Sequence, residues 1–194
     1  MVQNVYYERN WGINSLKQIT QKLINGKMSI EQVPAPFLED GRVLVRNHFS
    51  IISSGTEAKT VQDARKGLFS KAISRKKELD QVIKQIKLSG LKSTLQMVMN
   101  RLNAFSPLGY SSSGEVIAVG KNISKFKVGD RVACGGNSAF HADIISVPEN
   151  LCCKIPKNVS LNEAALTTIA AIAIQGIRQS DLKIGEKCLI IGMG

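Results

Sequence analysis

The chain has no C-x-x-C spacing, only two histidines, and no apolar run long enough to cross a membrane. Its four cysteines, Cys134, Cys152, Cys153 and Cys188, therefore indicate neither a zinc knuckle nor a disulfide framework. Reduced, buried thiols acting as small hydrophobes are the expectation. Cys152 and Cys153 are adjacent in a predicted strand, where successive side chains face opposite ways, so they are poorly placed to grip one metal together. The first twelve residues, MVQNVYYERNWG, contain no signal-peptide core, and the longest nearly uncharged apolar stretch, Ala164 to Ile174, is far short of a membrane span. A cytoplasmic protein with no membrane partner is expected.

What is present is the composition of a folded globular chain, with 194 residues of which 43% are hydrophobic and 5% aromatic. The net charge of +11 is concentrated. Between Lys59 and Arg101 eleven Lys and Arg stand against three acids, a local +8. A nucleic-acid footprint of that kind needs a recognisable module or aromatics to stack on bases, and this segment has only Phe69. Paired amphipathic helices fit better, because Leu79, Val82, Ile83 and Ile86 recur at helical spacing, as do Leu91, Leu95, Val98 and Leu102. Ser89 and Gly90 form the break between the two helices. Their charged faces would be solvated or would line an anion-attracting cleft.

Outside that island the pattern is short strands and turns. Gln18 to Leu23 and Met28 to Val33 flank INGK, where Asn25 and Gly26 can take the positive φ angles of a tight turn. Further strands are predicted at Arg42 to Ile52, Ser112 to Gly120, Asp130 to Gly136, Phe140 to Pro148 and Leu151 to Pro156. This spacing indicates a small β-barrel or sandwich. After Pro156 the pattern changes. Ser160 and Glu163 form a capping box ahead of an apolar helix, and EKCLIIGMG supplies a parallel-type strand entering Gly-x-Gly.

These stretches resemble the medium-chain dehydrogenase/reductases, the family of zinc alcohol dehydrogenases and quinone reductases. The resemblance rests on VPAPFLEDGRVLVRNHFSIISSGTE, GYSSSGEVIAVGKNISKFKVGDRVACGG, HADIISVPENLCCKIPKNVSLNEAAL and GEKCLIIGMG, which cover about two thirds of the chain in the family's order. Its most specific piece is the glycine and valine pattern of Gly114 to Val132. Within the family the chain is most similar to the bi-domain oxidoreductases, which carry a basic helical insertion here and a second oxidoreductase domain further on, and which are similar to proteins of surface-polysaccharide synthesis.

The resemblance implies a mainly β, GroES-like barrel with a helical insertion, ending in the first helix and strand of an α/β Rossmann domain. It implies an N-terminal extension over 1–17, a GroES-like catalytic domain over 18–158 with the basic insertion at 59–102, and the start of a truncated nucleotide-binding domain over 159–194. NAD or NADP is the implied cofactor of the longer parent, with Gly192 and Gly194 in its fingerprint and a small molecule, a sugar or a related polar compound, as substrate. The piece alone is expected to bind the cofactor weakly and to be inactive. A homo-oligomer is compatible with the resemblance.

In the family's zinc members a Cys, a His and a third Cys or Glu hold a metal that polarises a carbonyl. The matching stretches here read SGTE (Ser54 to Glu57), GYS (Gly109 to Ser111) and TIA (Thr168 to Ala170). None offers thiolate or imidazole, so no metal is expected. The candidate catalytic residues are then Thr56, Tyr110 and Ser54, with Thr56 or Tyr110 donating a hydrogen bond to the developing alkoxide. His48 and His141 are read as structural and Glu57 as a solvated charge. A non-catalytic binding or scaffolding module on the same fold stays open beside the enzyme, and a nucleic-acid binder is the least favoured reading.

Overall fold

The computed structural model describes residues 15–53, 55, 84 and 86–191. Eight strands fall into two antiparallel sheets. The smaller has the order β2-β1-β4, from β1 (Ser15–Lys22), β2 (Met28–Pro34) and β4 (Phe105–Pro107). The larger has the order β7-β3-β5-β6-β8, from β3 (Arg42–Ser50), β5 (Ser111–Val119), β6 (Arg131–Gly135), β7 (Ile144–Pro148) and β8 (Cys152–Lys154). Three helices are described: α1 (Leu91–Asn103), the single turn α2 (Leu161–Ala164) and α3 (Thr167–Gln179). None is long and apolar enough to cross a membrane.

The predicted β1–β2 hairpin forms, in the register Gln18↔Glu31, and Gly26 takes a φ of 67°. Asn25 stays out of the positive-φ region. It serves through its side chain, whose Oδ1 accepts the Lys27 amide at 2.9 Å. The hairpin is stitched to the larger sheet by backbone bonds from Ile19 to His141 and from Leu108 to Ile19, and by a bridge between Gln18 and Ala142.

Strand alternation builds the core. Val43 and Val45 of β3, Val116 of β5, Val132 and Cys134 of β6, and Ile145 and Val147 of β7 form one buried cluster with Phe126 and Ala139. The specific glycine of the motif has a packing reason, because a Cβ on Gly114 would lie 2.0 Å from the Arg46 carbonyl oxygen. Only a residue without Cβ allows β5 that close to β3. The turn before β6 is held by Asp130, whose carboxylate meets Lys154 Nζ at 2.9 Å and accepts the Lys127 amide.

Three expectations change. The strand predicted at Phe140 to Pro148 pairs as a strand only from Ile144, because Phe140 and Ala142 turn their carbonyls to the Asn47 side chain and residues 141–143 reach across to β1. The cysteines are not uniformly buried: Cys134 is, Cys152 is half-buried, and Cys153 and Cys188 are exposed. Cys153 points out because it alternates with Cys152 on an edge strand. The Rossmann-type strand does not form among the described residues, and Leu189, Ile190 and Ile191 stand 84%, 72% and 91% exposed. A parallel strand is stable when neighbours take its backbone bonds and cover both faces, and no described strand pairs with this one.

The helical insertion is described from its second half. Residues 86–89 are helical, Gly90 (φ 79°) breaks the helix where predicted, and α1 follows. Leu91 and Leu95, expected on an apolar face, are exposed. The rest of the predicted insertion lies outside the described residues.

Candidate functional site

The N-terminal end of β5 brings together the segment after β3, the Gly109–Ser111 stretch and the segment that leads into α3. Gly109 and Tyr110 lead directly into Ser111, the first residue of the strand. The Ile51 amide donates to the Ser111 carbonyl at 3.0 Å, which brings the segment after β3 alongside. Ser111 Oγ donates to the Ala165 carbonyl at 2.6 Å, and Ser113 Oγ donates to the Leu161 carbonyl, which tie α2 and the start of α3 to the same strand. Gly135, the register partner of Ser111, lies against α3 so closely that a Cβ there would meet Thr168 Oγ1 at 2.7 Å. Residues 51–53, 109–111 and 165–168 thus converge at one end of the sheet.

Backbone geometry decides where Tyr110 stands. Gly109 has a φ of 100°, and a Cβ there would lie 2.6 Å from the His141 amide nitrogen. His141 is buried, its amide donates to the Leu108 carbonyl at 2.8 Å, and its Nδ1 is 2.8 Å from Ser50 Oγ. The imidazole is therefore a brace between β3 and the Leu108–Tyr110 segment, consistent with a structural histidine. Tyr110 itself is partly exposed. His48 is exposed on β3.

The other sequence candidates fall elsewhere. Ser54, Thr56 and Glu57 lie outside the described residues, as do Gly192 and Gly194. Thr168 was set aside in the sequence as part of a lost ligand segment, yet its hydroxyl lies against Gly135, the register partner of Ser111, three residues after the Ala165 carbonyl that Ser111 binds. Nothing in sequence spacing signals that bond, because Ser111 and Ala165 are 54 residues apart.

Among the described residues the donor set at the end of β5 does not suit zinc. Among the described residues no group of three or more His, Cys, Asp or Glu side chains could hold a metal ion. The converging segments offer hydroxyls, which do not deprotonate readily enough to serve as a structural or catalytic zinc shell.

The model of the alcohol dehydrogenase GroES-like domain matches residues 80–157. Those residues are thus similar to the GroES-like domain of alcohol dehydrogenases. The chain is 31% identical over 112 residues to the (R,R)-butanediol dehydrogenase of Bacillus subtilis (strain 168), covering 45% of this chain and 32% of that protein. It is 30% identical over 116 residues to a zinc-type alcohol dehydrogenase-like protein of Escherichia coli (strain K12), covering 45% and 33%. The fold is shared with the quinone oxidoreductase of Coxiella burnetii, at a TM-score of 0.62 and 20% identity, covering 88% of this chain and 47% of that one. The chain thus spans about a third of the length of the curated relatives it matches.

Proposed function

We propose that this chain is the catalytic-domain portion of a zinc-independent, NAD(P)-dependent oxidoreductase that acts on a polar small molecule such as a sugar. The observation that supports this reading is the convergence of the Tyr110 and Thr168 segments at the start of β5, segments that the resemblance matches to metal-binding stretches of zinc members. Bound nicotinamide would supply or accept the hydride. The chain's own part is to hold the substrate oxygen and stabilise the charge that develops on it. A hydroxyl fixed in a water-poor site does this without reorganising as the reaction proceeds. Tyr110 is the leading donor. Its backbone is locked by the Gly109–His141 contact, and Thr56 is the second candidate from the resemblance. Gly192 and Gly194 are the proposed contacts to the cofactor's pyrophosphate.

The test uses the longest reading frame that contains this chain. Purified protein is screened with sugars and related alcohols or ketones for a substrate-dependent change in NAD(P)H absorbance. Tyr110→Phe is expected to lower kcat/KM by about 100-fold, the size of effect seen when one oxyanion donor is removed, with the melting temperature unchanged. One equivalent of zinc retained through dialysis against a mild chelator would overturn the zinc-independent assignment. No turnover with any member of the panel would favour a binding or scaffolding module on the same fold.

A further inference from the structure

Cys134 and Cys152 are paired residues of neighbouring antiparallel strands, β6 and β8, and their sulfurs are 3.8 Å apart. Directly opposed residues in such a ladder have Cα atoms about 4.5–5.5 Å apart, inside the range of about 4.4–6.8 Å that a disulfide spans. Side-chain rotation alone can therefore bring the two sulfurs together, and the backbone need not move. The remaining cysteines have no such partner: Cys153 faces the outer side of β8, and Cys188 lies in the exposed segment after α3.

The two thiols also differ in a way that gives them separate roles. Cys134 is fully enclosed in the core cluster, whereas Cys152 is half-buried at the sheet edge. Their shared hydrogen bond pushes the Cys134 thiol up, with burial adding to the effect. The same bond lowers Cys152, against burial, and the Arg42 cation helps. Cys152 is thus the thiol that ionises and is reached first, and Cys134 is the proton-bearing neighbour. Inward from them the row continues through Ser112, the register partner of Cys134, whose buried hydroxyl makes no hydrogen bond among the described residues.

We infer that Cys134 and Cys152 form a peroxide-oxidisable dithiol, with Cys152 as the attacking and Cys134 as the resolving thiol, which closes to a disulfide that staples the edge strand β8 to β6. The Cys152 thiolate attacks one oxygen of hydrogen peroxide, so that an S–O bond forms, the O–O bond breaks and hydroxide leaves to become water. Cys134 then attacks the Cys152 sulfenic acid. The S–S bond forms, the S–O bond breaks, and a second water leaves with the Cys134 proton. Two thiols lose two electrons and one peroxide is reduced to two waters. This site is separate from the proposed oxidoreductase chemistry, but Cys134 immediately precedes Gly135, against which Thr168 packs.

The full chain is treated with hydrogen peroxide, quenched with an alkylating agent and mapped by mass spectrometry, using Cys153→Ser so that the peptide carrying Cys152 holds one cysteine. Titratable thiols in the unsubstituted chain are expected to fall from four to two, with a Cys134–Cys152 link that dithiothreitol reverses. In Cys134→Ser, dimedone should trap a sulfenic acid on Cys152. A Cys152 that stays alkylatable after peroxide, or a link that joins Cys188 instead, overturns the proposal. The mapping of Cys153→Ser stands even if Cys134→Ser fails to fold, because Cys153 is exposed.

Discussion

The five-stranded sheet and the segment after Ala165 use the same residue types to opposite ends. In the sheet, Val43, Val45, Val116, Val132, Ile145 and Val147 meet in one cluster and are lost to solvent. After Ala165, Leu166, Ile172, Ile174 and Ile177 of the α3 region stand exposed, as do Leu189, Ile190 and Ile191. Both regions are rich in aliphatic side chains, but only the first encloses them. The boundary is sharp, because Ala164 and Ala165 are buried under the Ser111 and Ser113 bonds while Leu166 is already open. Apolar residues stabilise a fold in proportion to the area they remove from water. By that measure the sheet holds this chain together and the terminal segment contributes little.

The harshest way to break the contrast is Gly114→Ala. Its Cβ would be driven to 2.0 Å from the Arg46 carbonyl, which neither strand can relieve without parting. A loss of more than about 3 kcal/mol is expected, read as failure to accumulate folded protein or as a collapse of the thermal transition. A paired substitution sharpens the comparison. Ile145→Ala, in the cluster, should cost about 2–5 kcal/mol, whereas Ile190→Ser should stay within about 0.5 kcal/mol of the parent. Urea titrations of both variants decide it, and equal losses would mean that the terminal segment is covered in solution.

Removal of the tie between the regions comes next in size. Ser111→Ala leaves the buried end of β5 without its bond to Ala165, at about 1–3 kcal/mol. Hydrogen exchange should then rise over α2 and the first turn of α3 and leave β3 and β7 unchanged.

The smallest effect is electrostatic. The Lys154 ammonium and the Lys127 amide hold the Asp130 carboxyl below its ordinary value, against the cost of burial. A carboxyl lowered on folding stabilises above its unfolded pKa of about 3.9. That contribution fades as the pH falls through the lower folded value. Asp130→Asn should therefore flatten the fall in stability below pH of about 4 and leave the slope at higher pH unchanged, as followed by melting temperature across a pH series.

Much of the sheet was legible because strand signals are local. Alternation in Arg42 to Ser50, the glycines around Ser111 to Val119 and the turn before Arg131 mark β3, β5 and β6 from sequence, and the Ser160–Glu163 capping box forms as the spacing predicts. The candidate site was legible in part. Tyr110 stands at the convergent end of β5, but the bond that ties Ala165, ahead of α3, to Ser111 spans 54 positions. The closeness of Cys134 and Cys152 was equally hidden, since eighteen residues separate them and only the register of β6 with β8 sets them opposite each other.

By itself, then, the sequence determined the strands β1, β2, β3, β5, β6 and β8 to within a few residues, where the helical island breaks at Gly90, and that thiolate and imidazole are missing from the stretches that the resemblance matches to zinc ligands. Tertiary structure decided which segments stand together: the brace of His141 on Gly109, the docking of α2 under Ser111 and Ser113, the cysteine pair, and the exposure of Leu189 to Ile191. The physical reason is range. Backbone preference and side-chain alternation act over a few neighbouring residues, whereas burial and hydrogen-bond partnership depend on what the chain brings back from far along its length, and an apolar strand without a neighbour has nothing to close over it.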